Sequence, residues 1–162
     1  MDKRIMNNQG TKKQSGGLSF PDWKRVVVPP ETEALARIAV DSAFAVHCEL
    51  GPGLLETAYE ACFAHELDLR GIKYVRQLPV PLNYKGKRIE VGFRTDVLLQ
   101  GKLLIELKAV ETLLPVHQAQ VITYLKVLSL PLGLLINFNE VRIKDGLHRV
   151  LNVPRVAPSF TA

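Results

Sequence analysis

The run Leu103-Leu104-Ile105-Glu106-Leu107-Lys108-Ala109-Val110 is the most apolar strand-like segment of the chain, yet it carries an acid and a base two positions apart. Side chains on a strand alternate between faces, so Glu106 and Lys108 emerge on one side, roughly 7 Å apart along the backbone, while Leu107 points into the opposite layer. Charged residues are rarely buried unless paired or bound to a metal, and an isolated buried carboxylate neutralises sooner than it stays ionised. A compensating group is therefore expected beside them. Asp96 lies just upstream in a second strand-like run, Ile89 to Leu99, and the Gln100-Gly101-Lys102 break between the two runs predicts a β-hairpin.

The hairpin register decides whether these charges meet. Pairing Leu99 with Leu103 across a three-residue turn sets Asp96 opposite Glu106, with Cβ atoms about 5 Å apart. A two-residue Gln100-Gly101 turn instead puts them on opposite faces and removes any shared site. In the first register the two carboxylates repel unless something positive lies between them. Mg²⁺ is suited to that place, because it takes hard oxygen ligands and keeps several waters. Lys108 is placed to orient or deprotonate an attacking water, or to stabilise charge on a phosphorane-like transition state.

The remaining pattern predicts the elements around this hairpin. Residues Leu35, Ile38, Ala39, Ser42, Ala43 and Val46 recur at helical spacing between about Thr32 and Leu50, and Gly51-Pro52-Gly53 ends that helix. A second helix is expected from about Leu54 to Leu69, stopping at Gly71. A strand over about Lys73–Asn83 carries Pro79 and Pro81, which favour a sheet edge. After the hairpin, Pro115 opens a helix reaching about Leu128, and Leu132 to Phe138 reads as a buried strand, with a short final strand near His148–Leu151. The order α-α-β-β-β-α-β predicts an α/β fold: a mixed central β-sheet with helices on both sides.

At 162 residues, 47% of them apolar and 23% charged, the chain suits one soluble domain, expected over residues 31–154. No apolar stretch approaches the roughly 20 residues that span a bilayer. Met1 to Gly17 has no apolar core of a secretory signal, so a cytoplasmic location is expected. Residues 1–30 hold six Lys/Arg against Asp2 and Asp22, +4, whereas residues 31–162 hold fifteen against fourteen, +1. The first thirty residues read as a disordered basic extension able to attract phosphate backbones or simply to be solvated, and 155–162 as a C-terminal tail. Cys48 and Cys62 have no zinc-ligand spacing and are expected to be reduced and buried.

Asp96, nine residues, then Glu106-x-Lys108 resembles the signature of the PD-(D/E)XK nucleases. Gly53-Leu54-Leu55-Glu56-Thr57-Ala58-Tyr59 is similar to the motif that names the GxxExxY proteins, as are the phrases around His47–Gly53 and Leu134–Asn139; together they cover roughly residues 33–152. Gln120-Val121-Ile122-Thr123-Tyr124 resembles the Q-x-x-x-Y motif of the RecB-like branch. The resemblance implies a restriction-endonuclease-like core and a nuclease that hydrolyses nucleic acid, DNA in the first instance, with Mg²⁺ or Mn²⁺. It implies Asp96, Glu106, Glu56 and the Leu107 carbonyl as metal ligands, and Lys108 as the catalytic base partner. Thr95 stands where the superfamily name has Pro.

Positions i and i+4 of a helix lie one above the other, so Gln120 and Tyr124 are expected to face the sheet together, with Val116 and Val127 on the same stripe, near Lys108 or a scissile phosphate. Arg94, two residues before Asp96, is expected on the Asp96 face, there to contact phosphate or neutralise the carboxylates. Glu56 borders a stripe with Tyr59 and Phe63, but an acid in a first turn also complements the helix dipole; Glu60 and Glu66 are the alternative carboxylates. His47 reads either as a ligand or as a helix-end residue, and Tyr59 as a core residue with its hydroxyl satisfied. A catalytically silent binding module on the same fold is the competing expectation. The oligomeric state is left open, a homodimer included.

Overall fold

The computed structural model describes residues 26–153, so the expected extension over 1–30 and the tail over 155–162 fall almost entirely outside the described residues. Two helices, α1 (Pro30–Leu50) and α2 (Glu56–Leu69), precede the strands β1 (Tyr74–Tyr84), β2 (Lys87–Leu99) and β3 (Leu103–Lys108). Helix α3 (Pro115–Leu128), strand β4 (Leu132–Asn137), a 3₁₀ turn (Ile143–Asp145) and strand β5 (Leu147–Leu151) follow. The five strands form one sheet in chain order, antiparallel except for the parallel β3/β4 pair. A parallel pair cannot be joined by a tight turn, and α3 is the crossover that joins it.

The alternation of β3 distributes the two helical layers. Leu103, Ile105 and Leu107 pack with Ala39, Ala43, Val46, Tyr59 and Phe63 of α1 and α2. Leu104 packs on the other side with Val121, Tyr124 and Leu125 of α3 and with Leu135 and Val150. β3 and β4 are covered on both faces and accordingly read as nearly continuous apolar runs. The predicted α/β class and the helix-flanked mixed sheet are the observed ones, with β5 extending the order by one strand. β1, with its two prolines, is the edge strand, and its pairing with β2 shifts register between Val80 and Leu82.

Three details depart from expectation. The inward arc of α3 is centred on Val121, Tyr124 and Leu125, and Val116 and Val127 are exposed. Apolar residues lie nearly all round this helix, so the stripe through Val116 and Val127 is not the one that packs. Cys48 is exposed rather than buried because it lies on the outer side of the last turn of α1; Cys62 is half-buried, and both thiols are free. The third concerns the β1–β2 ribbon. Arg76 and Val97 are paired, and Val97 packs under α1 and α2; regular alternation would put Leu78 and Phe93 on that side too, yet they pack under α3. The ribbon turns over between the Arg76–Val97 pair and the Val80–Phe93 pair, in the stretch where Gln77 adopts a left-handed φ of 51°.

Helix α3 sits so close to β4 that a Cβ on Gly133 would meet Val121 Cγ1 at 3.0 Å and Leu125 Cδ2 at 3.3 Å. Gly133→Ala is expected to destabilise the protein by about 1–3 kcal/mol through overpacking, measured by urea denaturation; an unchanged midpoint would show that α3 can shift freely.

Candidate active site

The β2–β3 ladder runs through Leu99↔Leu103, Leu98↔Leu104 and Val97↔Ile105 and then stops. This is the even register. The turn that sets it puts Gln100 at φ 49° and Gly101 at φ 68°, and Lys102 N–H donates to Leu99 O at 2.9 Å. The next pair would be Asp96 and Glu106. There a side chain replaces the ladder: Leu107 N–H donates to Asp96 Oδ2 at 2.7 Å. The strands part at this point, and Asp96, Glu106 and Lys108 stand at the opening.

Glu106 is 1% exposed. Its Oε1 accepts from Lys108 Nζ at 2.7 Å, while its Oε2 is buried without a hydrogen-bond partner. Lys108 Nζ also donates to Leu107 O at 2.9 Å and lies 3.9 Å from Glu56 Oε1. Burial, and secondarily the Asp96 carboxylate, push the Glu106 pKa up to about 7 in spite of Lys108. Burial likewise raises Asp96, with Glu56 and Glu60 adding to the rise and the Leu107 N–H and Lys108 opposing it. Burial works against the Lys108 ammonium, but Glu106, Asp96 and Glu56 together outweigh it and raise its pKa. Lys108 therefore holds its proton and acts as a fixed cation.

Glu56 reaches this cluster from the first turn of α2, so its two expected placements, dipole partner and site neighbour, coincide. Tyr59 explains its position. The Tyr59 hydroxyl donates to Gly51 O at 2.7 Å and accepts from Leu54 N–H at 3.1 Å, and its ring stacks on Phe138 at 4.6 Å. The loop into α2 is thus pinned by a residue of the helix itself. Glu60, one turn on, is held by Arg76 Nε and Gln77 Nε2, both at 2.9 Å, and Glu66 pairs with Arg70. Neither alternative carboxylate touches Lys108.

On α3, Gln120 Nε2 donates to the Tyr124 hydroxyl at 2.8 Å. Tyr124 is buried, and burial foremost, with Glu106 and Asp96 adding to it, raises its pKa against the Gln120 bond; the pair lies within electrostatic reach of the carboxylates. Arg94 does not share the Asp96 face as expected. Phe93 turns its edge to Tyr124 at 5.7 Å, so its neighbour Arg94 points the other way, is exposed and pairs with neither Asp96 nor Glu106. His47 lies buried in the last turn of α1, where its Nε2 bonds Glu140 O at 2.8 Å. Sequence reasoning passed over Asn137, buried at the end of β4, whose amide accepts from Val110 N–H at 3.0 Å and donates to Val110 O at 2.8 Å. Together with Phe138 N–H on Lys108 O, it fixes the chain leaving the site. A polar residue closing an apolar run was the available signal.

The donor set consists of oxygens: the Asp96 and Glu106 carboxylates and the Leu107 carbonyl, with Glu56 at the margin. One or two carboxylates with water are what a hard cation such as Mg²⁺ uses, and the unpartnered Glu106 Oε2 lacks a positive partner of its own. Among the described residues no three His, Cys, Asp or Glu side chains converge as a complete cage.

The raised Glu106 pKa sets a pH dependence. Between the ordinary 4.5 and about 7 the folded protein holds a proton that the unfolded chain has released, so stability falls as pH rises through this window. Without divalent cations, urea denaturation at pH 5 and pH 8 is expected to show the loss, to which Glu106 contributes on the order of 3 kcal/mol. Glu106→Gln is expected to flatten it; the same pH dependence in both proteins would mean that Glu106 ionises normally.

A family model of the PD-(D/E)XK nuclease superfamily matches residues 33–150. No curated protein and no solved structure matches the chain. The matched span runs from α1 into β5 and includes the opened hairpin with Asp96, Glu106 and Lys108. PD-(D/E)XK nucleases generally use divalent metals, and their name implies a nucleic-acid substrate. A match over most of the chain, on a fold that opens its hairpin at those three residues, settles the relationship: the chain belongs to the PD-(D/E)XK nuclease superfamily.

Proposed function

We propose that this protein hydrolyses phosphodiester bonds in nucleic acid, DNA in the first instance, with Mg²⁺ or Mn²⁺ held by Asp96, Glu106, the Leu107 carbonyl and Glu56. The observation that carries this reading is the buried, unpartnered Glu106 Oε2 beside a second buried carboxylate and a lysine. A carboxylate oxygen left so in a folded protein costs about 1–3 kcal/mol or more, and a cation removes that cost. When bound, the divalent ion supplies Lewis-acid polarisation of the phosphate and activation of water.

The chain's own groups do the remainder. The Leu107 N–H fixes the Asp96 carboxylate, leaving Oδ1 for the ligand. Lys108, its ammonium form favoured by three acids, is better suited to orient water and stabilise negative charge developing at phosphorus than to abstract a proton. Gln120 and Tyr124 offer an amide and a hydroxyl to the scissile phosphate, and Arg94 a cation to the backbone beyond it. We further place the chain in the GxxExxY group. The pinning of the Gly51–Leu54 loop by Tyr59 gives that spacing a reason, since it delivers Glu56 to Lys108. The Gln120–Tyr124 bond supports a RecB-like relationship in the same way.

A catalytically silent binding module is the second reading, favoured by the direct closure of Lys108 on Glu106. Purified protein incubated with single- and double-stranded DNA and RNA, with and without Mg²⁺ or Mn²⁺, separates the two. Cleavage is expected only with the metal. Lys108→Ala and Asp96→Asn are expected to lower kcat at least about 10³-fold. Asp96→Asn keeps a carbonyl oxygen to accept from Leu107 N–H, so its melting temperature should stay near that of the parent. Cleavage that persists in both variants, or is absent from the parent on every substrate, would overturn the nuclease reading.

A further inference from the structure

β1 and β2, at 11 and 13 residues, are about twice as long as β3, at 6. β2 pairs with β3 only over Val97–Leu99, so the outer ribbon, where Leu82 faces Ile89 and Tyr84 faces Lys87, has no third strand among the described residues. Because β3 runs antiparallel to β2, its end bearing Glu106 and Lys108 lies beside the part of β2 that enters this ribbon. The ribbon thus leaves the sheet at the carboxylate end. At about 3.3 Å per residue it carries Lys87 roughly 30 Å from Asp96. Its root is fixed: Leu78 and Phe93 pack under α3, and Phe93 meets Tyr124.

The outer ribbon has no core to cover, yet among the described residues it concentrates positive charge. Residues 26–153 contain fourteen Lys/Arg and fourteen Asp/Glu, net zero. Residues 82–94 contain Lys85, Lys87, Arg88 and Arg94 against Glu90, +3. All four cations are exposed, and Tyr84 at the tip is 61% exposed with Lys85 Nζ 5.5 Å above its ring. An exposed aromatic among cations on an extended two-stranded arm is the pairing that backbone phosphates and base faces recognise.

We propose that the β1–β2 ribbon is a nucleic-acid-binding arm, in which Lys85, Lys87, Arg88 and Arg94 contact backbone phosphates and Tyr84 offers a stacking face, along the polymer whose scissile bond lies at Asp96 and Glu106. The inference rests on the nuclease reading for its partner, but its test does not need cleavage. Fluorescence anisotropy with a duplex of about 30 base pairs, long enough to span the arm, is recorded without divalent cation over a salt series. It uses the full chain, Lys85→Ala/Lys87→Ala/Arg88→Ala, and the control Lys126→Ala/Lys144→Ala. The arm variant is expected to melt as the parent does, to bind at least about tenfold more weakly, and to show a log K against log salt slope shallower by about 2–3. The control is expected to change neither by more than about twofold. An unchanged slope in the arm variant, an equal loss per charge in the control, or no binding by the parent overturns the arm. Binding through the arm without cleavage under any metal leaves the arm standing and overturns the nuclease reading instead.

Discussion

One hydrogen bond organises the working end of this sheet. Leu107 N–H would ordinarily be met by a backbone carbonyl of β2; it is met by the Asp96 carboxylate. The substitution lets the backbone donor stay satisfied while the two strands separate, and it commits one Asp96 carboxylate oxygen to the backbone while leaving the other outside that bond. Everything else at the site is arranged about that gap. Glu106 faces it from β3, Lys108 bridges Glu106 and the Leu107 carbonyl, and Glu56 arrives from α2 at its rim.

The gap lies at the end of β3, a strand covered on both faces, and this accounts for the electrostatics. Two acids are forced into a poorly solvated place where neither ionises at its ordinary value. Lys108 answers only part of that demand, because its single ammonium is shared among three acids. Structure of this kind is unfavourable for folding and is expected where a protein has a site to maintain.

Much of this was legible in the sequence, because it was written in residues with strong local preferences. Pro115 and Pro131 bracket α3, Pro79 and Pro81 assign β1 to an edge, and Gly101 admits the turn that fixes the even register. The acid–base alternation in an apolar run did the rest. What could not be read were features set by tertiary packing. α3 is apolar nearly all round, so which flank meets the sheet is decided by Gly133 beneath Val121 and Leu125. The turning-over of the ribbon, which parts Arg94 from the carboxylates, depends on Gln77, a residue with no inherent preference for positive φ, held there with Arg76 by Glu60. Asn137 looked like one more strand residue and is a clamp.

The hairpin also bears on how the molecule is assembled. Asp96 and Glu106 are ten residues apart, and the turn between them closes a short loop, which is entropically inexpensive and forms within microseconds in comparable hairpins. Glu56 lies forty residues before Asp96, and the stacking of Tyr59 on Phe138 spans nearly eighty. The acidic pair is therefore a local, early product of folding, whereas its third acid and the ring that positions it wait for non-local contacts. A chain whose hairpin has closed before its long-range contacts form holds the two carboxylates together without Glu56, because the Tyr59–Phe138 stack that positions the start of α2 joins segments far apart in the sequence.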